Sequence, residues 1–212
     1  MKLDCLILAA GSASRFGGCK LLANWNGKPL VAQSIEAACT LEPENIFVVG
    51  GAYYEELQQA LPGLQISTRT EHTKTIELLE FRAWDLGVGN SLAFGVKRLQ
   101  NPNPVLVLLG DQPLISAKDL QHLYQTWNEN PERIVCASFA DTLGVPAIFP
   151  ARFKAELYRC RGDRGAKSIL LHYFNKEASL VIPIAMPSAE FDIDTPTDFK
   201  LHREKLQRYL SA

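Results

Sequence analysis

The sequence has no excess of charge of either sign and no long apolar run. Its 212 residues include 22 Lys and Arg against 23 Asp and Glu, which gives a net charge of −1. A protein that binds nucleic acid or an anionic membrane through its overall field presents a basic surface, and this composition does not supply one. No segment approaches the roughly 18 apolar residues that a membrane span needs. We therefore expect neither nucleic acid nor a membrane as a partner, and any phosphate binding must be local.

The cysteines are not arranged in pairs. The five cysteines form an odd set without a C-x-x-C motif, which argues against a disulfide framework and against a zinc site. The apolar segment 6–10 is too short for an export signal. These features favour a cytoplasmic protein.

Linkers, charge blocks and repeats are also missing, so we predict one domain over residues 1–212. Short apolar runs alternate with segments of helical period. We predict strands at 3–9, 45–49, 64–67 and 104–109, with helices at 29–40, 53–61 and 90–99 between them. Buried strands separated by helices are typical of an α/β, doubly wound, mostly parallel sheet with helices on both faces.

The second half of the chain has a looser pattern. We predict a helix at 116–129 capped by Ser116, strands at 134–138, 145–149 and 179–184, and a helix at 163–173 between them. A terminal helix begins at Pro196 with Thr195 as its cap. Segment 70–82 fits a helix or a strand and remains unassigned.

Two loops follow apolar strands, where ligands of open α/β sheets bind. The first runs from Gly11 to Lys20 and is rich in small residues. Its backbone amides suit a triphosphate, and Arg15 and Lys20 supply positive charge for a departing pyrophosphate. A Walker loop is excluded because Leu21 stands where the magnesium-binding hydroxyl belongs, and the dinucleotide pattern G-x-G-x-x-G is absent.

The second loop carries a carboxylate, Asp111, within Gly110-Asp111-Gln112-Pro113. A second carboxylate is expected from segment 191–196, which we interpret as a short strand that places Asp192 and Asp194 on one face. Magnesium takes one or two such oxygens plus phosphate ligands. The alternative is that Asp194 only belongs to the turn that starts the terminal helix.

Together, three motifs resemble those of the molybdenum cofactor nucleotidyltransferases, and most of all the molybdenum cofactor cytidylyltransferases. They are the loop from Leu8 to Lys20, the tetrad 110–113 and the box Asp192-Ile193-Asp194-Thr195-Pro196. The resemblance extends from about residue 3 to 199. It implies a Rossmann-like, glycosyltransferase-A-like nucleotidyltransferase fold, with a nucleotide-binding part at about 1–115, an acceptor-binding part at about 116–195 and a C-terminal helix at about 196–210.

The resemblance also implies an activity, the transfer of CMP from CTP to the phosphate of molybdopterin with release of pyrophosphate and with Mg²⁺ as cofactor. A receiving molybdoenzyme is then a further partner. Carried over residue by residue, Arg15, Lys20 and Asp111 are catalytic, Asp111 and Asp194 ligate the metal, and Asp192 is a weaker candidate ligand. The implied nucleotide-binding residues are Ala9, Ala10, Gly11, Ser12, Arg15, Lys20, Asn90 and Ser91.

Three looser matches extend the site. Asn90 and Ser91 lie in a loop similar to the family's G-x-G-S-S-L loop, or Asn90 simply caps a helix. Gly144 and Pro146 resemble an acceptor-side strand, or lie on an ordinary edge strand. Asp163 and Arg164 resemble an acceptor-phosphate motif, or Asp163 only caps a helix.

The nucleotide, the acceptor and the class of function each leave an alternative open. The related guanylyltransferases carry L-A-G-G where this chain has Leu8-Ala9-Ala10-Gly11, which favours cytidine over guanosine. A sugar phosphate is an alternative acceptor. A molybdopterin carrier without catalysis is an alternative of another class. Cys19, beside Arg15 and Lys20, is either a small filler or an activated thiol.

Overall fold

The computed structural model describes residues 2–63 and 76–210, with side chains described through residue 203. Its main feature is a seven-stranded sheet, accompanied by a two-stranded hairpin. The strands are β1 (Asp4–Ala9), β2 (Asn24–Trp25), β3 (Lys28–Pro29), β4 (Asn45–Gly50), β5 (Ile76–Glu80), β6 (Val105–Leu109), β7 (Ile134–Phe139), β8 (Thr142–Phe149) and β9 (Val181–Ala185). The helices are α1 (Leu30–Cys39), α2 (Tyr54–Ala60), α3 (Val88–Val96), α4 (Ala117–Glu129), α5 (Lys154–Tyr158), α6 (Ala166–Lys176) and α7 (Pro196–Leu210).

The sheet has the order β5-β4-β1-β6-β8-β7-β9. The first four strands in that order are parallel, β8 runs antiparallel to both of its neighbours, and β9 is parallel to β7. The predicted α/β class with a mostly parallel sheet is confirmed. The carboxyl ends of β1 and β6 are adjacent, so the two loops singled out in the sequence open at the same edge.

Two apolar cores cover the two faces of the sheet. One contains buried residues of α1 and α4, including Ile35 and Trp127, and the other contains buried residues of α3 and α6, including Leu92 and Leu170. Helices on both faces are therefore confirmed. No helix among the described residues combines the length and the apolar character that crossing a membrane requires.

The strand and helix boundaries mostly match, with informative exceptions. Segment 64–67 lies outside the described residues, and β5 instead falls within the segment that the sequence left unassigned. Strand β8 is internal to the sheet, so the alternative that Gly144 and Pro146 lie on an edge strand is wrong. Pro146, which has no N–H, is accommodated because the β7–β8 ladder shifts register between Cys136 and Ala137 and β6 pairs only as far as Ala147.

Helix caps explain where α4 and α7 begin. Ser116 and Asp119 form a reciprocal capping box at α4, as the sequence predicts. At α7, the Asp198 amide donates to Thr195 Oγ1 and the Thr195 amide donates to Asp198 Oδ2, so the predicted Thr195 cap is confirmed. Helix α6 begins three residues later than predicted, because a tight turn with Gly162 at φ +59° precedes it.

Candidate functional site

The loop after β1 forms an open cradle of backbone. Ala13 has φ +47° and Gly17 has φ +82°, and the Phe16 amide donates to the Ala13 carbonyl at 2.9 Å, so the chain curls back on itself. At Gly11, no described atom other than those of the glycine and its two chain neighbours lies within 4 Å of the position that a Cβ would occupy. The backbone of this loop is therefore accessible to an anion.

Lys20 joins two carboxylates that are far apart in the sequence. Its Nζ lies 2.6 Å from Asp111 Oδ2 and 3.1 Å from Asp194 Oδ1, and Arg15 reaches Asp194 Oδ2 at 2.7 Å. Lys20 is buried, with 8% of its surface exposed. The structure therefore brings Arg15, Lys20, Asp111 and Asp194 together, as the motifs predict.

A backbone hydrogen bond places the two carboxylates side by side. The Ile193 amide donates to the Asp111 carbonyl at 3.0 Å, and the Ile193 side chain is buried against Trp25 and Leu30. Segment 191–194 is not a regular strand, so that prediction is wrong. Its alternation nevertheless holds, because buried Ile193 lies between Asp192 and Asp194, which are more accessible.

The same small core ties the cradle to this segment. Phe199 of α7 makes edge-on ring contacts with Phe16, at 6.0 Å between centroids, and with Trp25, at 5.3 Å. Phe16 belongs to the cradle and Ile193 to the carboxylate segment. This core thus connects the cradle, which carries Arg15, to the segment that carries Asp194.

The donor set fits a hard divalent cation. Asp111 Oδ1 is buried and finds no hydrogen-bond partner among the described residues, and such an oxygen costs free energy unless a cation or water meets it. No group of three or more His, Cys, Asp or Glu suited to a metal occurs in residues 2–63 and 76–203. Two carboxylates are enough for magnesium when phosphates supply further ligands.

Charge within the cluster shifts two pKa values. Burial by itself lowers the pKa of Lys20, but Asp111 and Asp194 outweigh that effect, so the pKa is raised and the ammonium stays charged. Asp192 keeps part of its surface exposed, yet loss of hydration and repulsion from Asp111 raise its pKa to about 6. The Asp192 carboxyl therefore ionises less readily than that of an isolated aspartate, whose pKa is about 3.9.

Two adjoining clefts share the end of β1 and Asp111. The first, of about 220 Å³, is lined by Leu8, Ala9, Gly11, Ser12, Ala13, Ser14, Arg15, Lys20, Leu21, Asp111 and Asp194. The second, of about 380 Å³, is lined by Leu8, Ala10, Gly11, Ser12, Trp84, Asp85, Gly87, Val88, Ser91, Leu109 and Asp111. The first has the charge for a triphosphate, and the second has the room and apolar walls for a nucleoside.

Most predicted nucleotide-binding residues line these clefts, but Asn90 does not. Its Oδ1 accepts a hydrogen bond of 2.6 Å from the Gly162 amide. It does not cap α3 either, because that helix begins after Gly87 without a side-chain cap. The helix-cap interpretation of Asn90 is therefore wrong, its contact with the nucleotide stays a prediction, and its observed partner lies 72 residues away.

The predicted acceptor residues lie outside both clefts. Gly144 packs under the Phe139 ring, where a Cβ would approach within 2.8 Å. Asp163 does not cap α6, whose N-cap is Gly165 without a side-chain hydrogen bond, so that alternative is wrong. Asp163 adjoins the second cleft, because its Oδ1 lies 2.8 Å from where a Cβ of the cleft residue Gly87 would be, and Arg164, the next residue, is exposed.

Sequence reasoning missed Trp84 and Asp85, which line the second cleft. They lie in a turn just before the Gly87 loop, and their position next to that motif was the signal available.

The sequence also left open whether Cys19 is a filler or an activated thiol. Burial raises the pKa of the Cys19 thiol, so the neighbouring cations do not activate it.

Comparison with known sequences identifies the family. The MobA-like NTP transferase domain matches residues 5–178. The bifunctional protein GlmU of Francisella tularensis subsp. novicida is 30% identical over 157 residues, which cover 73% of this chain and 32% of that protein. The chain thus spans about a third of the length of the curated relatives it matches.

Solved structures show the same fold at low identity. A nucleotidyl transferase from Methanothermobacter thermautotrophicus superposes with a TM-score of 0.79 at 18% identity, covering 98% of this chain and 99% of that one. The manganese complex of Rv0371c from Mycobacterium tuberculosis gives 0.70 at 18% identity, covering 96% and 99%. A CMP-2-keto-3-deoxy-manno-octonic acid synthetase in complex with CTP gives 0.70 at 15% identity, covering 99% and 100%.

The family match covers most of the chain and includes Arg15, Lys20 and Asp111 of the site, whereas Asp194 lies beyond it. This chain therefore belongs to the MobA-like NTP transferase domain family.

Proposed function

We propose that the protein transfers CMP from CTP to the phosphate of molybdopterin and releases pyrophosphate, with Mg²⁺ as cofactor, in the cytoplasm. The observation that carries this proposal is the meeting of Asp111 and Asp194 at Lys20, beside the amide cradle of Gly11 to Ser14. Cations and carboxylates at the mouth of an amide cradle suit a metal-bound triphosphate.

Asp111 and Asp194 are the residues that would hold the metal. Bound there, the ion would neutralise charge on the reacting phosphates. In this structure Lys20 contacts both carboxylates and Arg15 contacts Asp194. We propose that both cations turn to the triphosphate when it binds and stabilise the charge that builds up on pyrophosphate as it leaves.

Positioning is the rest of the mechanism. A phosphate acceptor is already anionic, so no general base has to remove a proton from it. The amides of the cradle hold the triphosphate, and the second cleft holds the nucleoside against Ser91 and the Trp84 turn. Catalysis then consists of aligning two phosphates and offsetting their repulsion.

Cytidine is favoured because Ala10 lines the second cleft, where the related guanylyltransferases carry glycine. One methyl group changes discrimination by about 1 to 3 kcal/mol. The synthetase that superposes in complex with CTP supports the same nucleotide. Its name also supports a second candidate acceptor, a sugar acid or sugar phosphate in place of molybdopterin.

The test is a matrix of nucleotides and acceptors with Mg²⁺, read as pyrophosphate release. The wild type should turn over with CTP and molybdopterin, and Asp111→Asn should lower turnover by about two orders of magnitude or more, since the charge that holds the metal is lost. Asp141→Asn is the matched control, because it removes an exposed carboxylate from a turn with φ +56°, which Asn tolerates.

Each outcome of the matrix decides between the candidates. If pyrophosphate is released with a sugar phosphate but not with molybdopterin, the acceptor is a sugar phosphate. Binding of molybdopterin without any release makes the protein a carrier. Near-normal turnover in Asp111→Asn contradicts the metal assignment.

A further inference from the structure

Helix α3 and the turn before α6 meet backbone to backbone at Gly162. The Gly89 amide donates to the Gly162 carbonyl at 2.7 Å, and the Gly162 amide donates to Asn90 Oδ1 at 2.6 Å. Two consecutive residues of α3 therefore satisfy both polar backbone groups of one glycine. Such a paired contact fixes the position and the orientation of the turn.

The contact leaves no room for the two segments to slide. A Cβ at Gly87 would come within 2.6 Å of the Gly162 backbone, and a Cβ at Gly89 would come within 2.5 Å of the Arg164 carbonyl. Displacement of the turn must therefore displace the first turn of α3.

That first turn also forms a wall of the second cleft. Gly87, Val88 and Ser91 line the cleft, and Asn90 faces the Gly162 turn instead. Some residues of this short segment thus line the nucleoside cleft. Others contact the turn that carries Asp163 and Arg164. The carbonyl of Arg164 lies against Gly89 in this turn, and Arg164 is exposed.

We propose that Asn90 is a positioning residue that couples the nucleoside cleft to the turn 161–164. Nucleotide in the cleft holds the first turn of α3 in place, and Asn90 transmits that order to Gly162, so Arg164 is presented to the phosphate of the acceptor. This inference rests on the proposed function, because it assigns the acceptor to the Arg164 side.

The experiment follows exchange of the Gly162 amide by NMR in the full chain, with and without Mg·CTP. Asn90→Leu keeps the size of the side chain but removes the acceptor oxygen, and Asn90→Asp keeps an oxygen and serves as the rescue. We expect Gly162 exchange to be about fivefold faster in Asn90→Leu, as loss of one hydrogen bond implies, and near wild type in Asn90→Asp.

Coupling is tested by the response to the nucleotide. Mg·CTP should slow Gly162 exchange in the wild type and in Asn90→Asp but not in Asn90→Leu. The KM for the acceptor should rise severalfold in Asn90→Leu while the dissociation constant of Mg·CTP changes less than twofold. If Asn90 had only a structural role, Asn90→Leu would change the stability of the protein without separating the KM for the acceptor from the dissociation constant of Mg·CTP.

Three results overturn the inference. Bound Mg·CTP that leaves Gly162 exchange unchanged in the wild type contradicts the coupling, even if Asn90→Leu fails to fold. Equal protection in Asn90→Leu and the wild type removes the role of Asn90. If Mg·CTP and Mg·GTP both fail to bind, the proposed function itself fails, and the coupling fails with it.

Discussion

Lys20 is the residue on which the electrostatics of the cleft depend. It is buried, it contacts Asp111 and Asp194, and its raised pKa keeps it charged. Without a cation between them, two carboxylates this close would repel each other in a partly dry site. Lys20 therefore balances the charge of the site until metal and triphosphate arrive.

A second residue, Asp192, leads to a prediction for how the stability of the protein depends on pH. Its pKa is raised to about 6 in the folded protein, whereas an unfolded Asp titrates near 3.9. The folded state thus binds this proton more tightly, so the stabilisation is present below about pH 4 and is lost as the pH rises through about 6. In metal-free protein, Asp192→Asn should be more stable than wild type at pH 7.5 and equal to it near pH 4.

Urea unfolding at both pH values checks this, with EDTA present throughout. A variant that is less stable than wild type at pH 7.5, or a difference that does not change between the two pH values, would show that ionised Asp192 is not under strain in the fold.

Individual residues differ in how far the sequence reveals them. Asp111 is predicted because it follows an apolar strand. Asp194 is predicted from the alternation of segment 191–196 and from the resemblance of that segment to a family motif, and both signals are local. The hydrogen bond from Gly162 to Asn90 spans 72 residues. This hydrogen bond depends on how two loops approach each other in the fold, so no residue spacing in the sequence predicts it.

At the scale of elements, helix α7 stabilises the site through a small aromatic core. Phe199 packs against Phe16 and Trp25, and the same core holds Ile193. Phe199→Ala removes a half-buried ring and two edge-on contacts, which should cost about 2 kcal/mol of unfolding free energy. It should also weaken Mg·CTP binding, because Arg15 and Asp194 lose their common support.

Chemical denaturation and titration calorimetry measure the two effects. Phe174→Ala, on exposed surface of α6, is the matched control and should change both much less. Unchanged nucleotide affinity in Phe199→Ala would mean that the aromatic core does not position the cleft.

The bounds of some strands and helices can be predicted from sequence patterns, and those of others cannot. Apolar runs located β1, β4 and β6 closely, because strands buried on both faces are apolar throughout. The start of α6 was placed too early, because the turn around Gly162 forms by a backbone contact that helical periodicity does not register. The register shift in β8 likewise depends on its partner strand.

For the whole molecule, the sequence predicted the class but not the strand order. Alternating strands and helices implied a parallel sheet, while the insertion of antiparallel β8 between β6 and β7 depends on long-range pairing. That insertion extends the sheet beyond β6, the strand whose end carries Asp111.

Nucleotide preference can be measured on the whole fold. A ligand that binds only the folded state raises the melting temperature of the protein, and the increase grows with the affinity of the ligand. At a concentration about 100 times its dissociation constant, a nucleotide adds about 2.7 kcal/mol, which corresponds to roughly 5–10 °C for a chain of this size. Mg·CTP should raise the melting temperature more than Mg·GTP at equal concentration. Equal shifts, or a larger shift with Mg·GTP, would remove the preference for cytidine.

The most direct test of the metal site is a titration with Mn²⁺ in the presence of CTP, followed by electron paramagnetic resonance of the free ion. Asp111→Asn and Asp194→Asn should each weaken Mn²⁺ binding at least about tenfold, since each removes one of two carboxylate ligands, while Asp141→Asn should bind like the wild type. If both variants retain wild-type affinity, the two carboxylates do not share a metal ion and the account of the site is wrong.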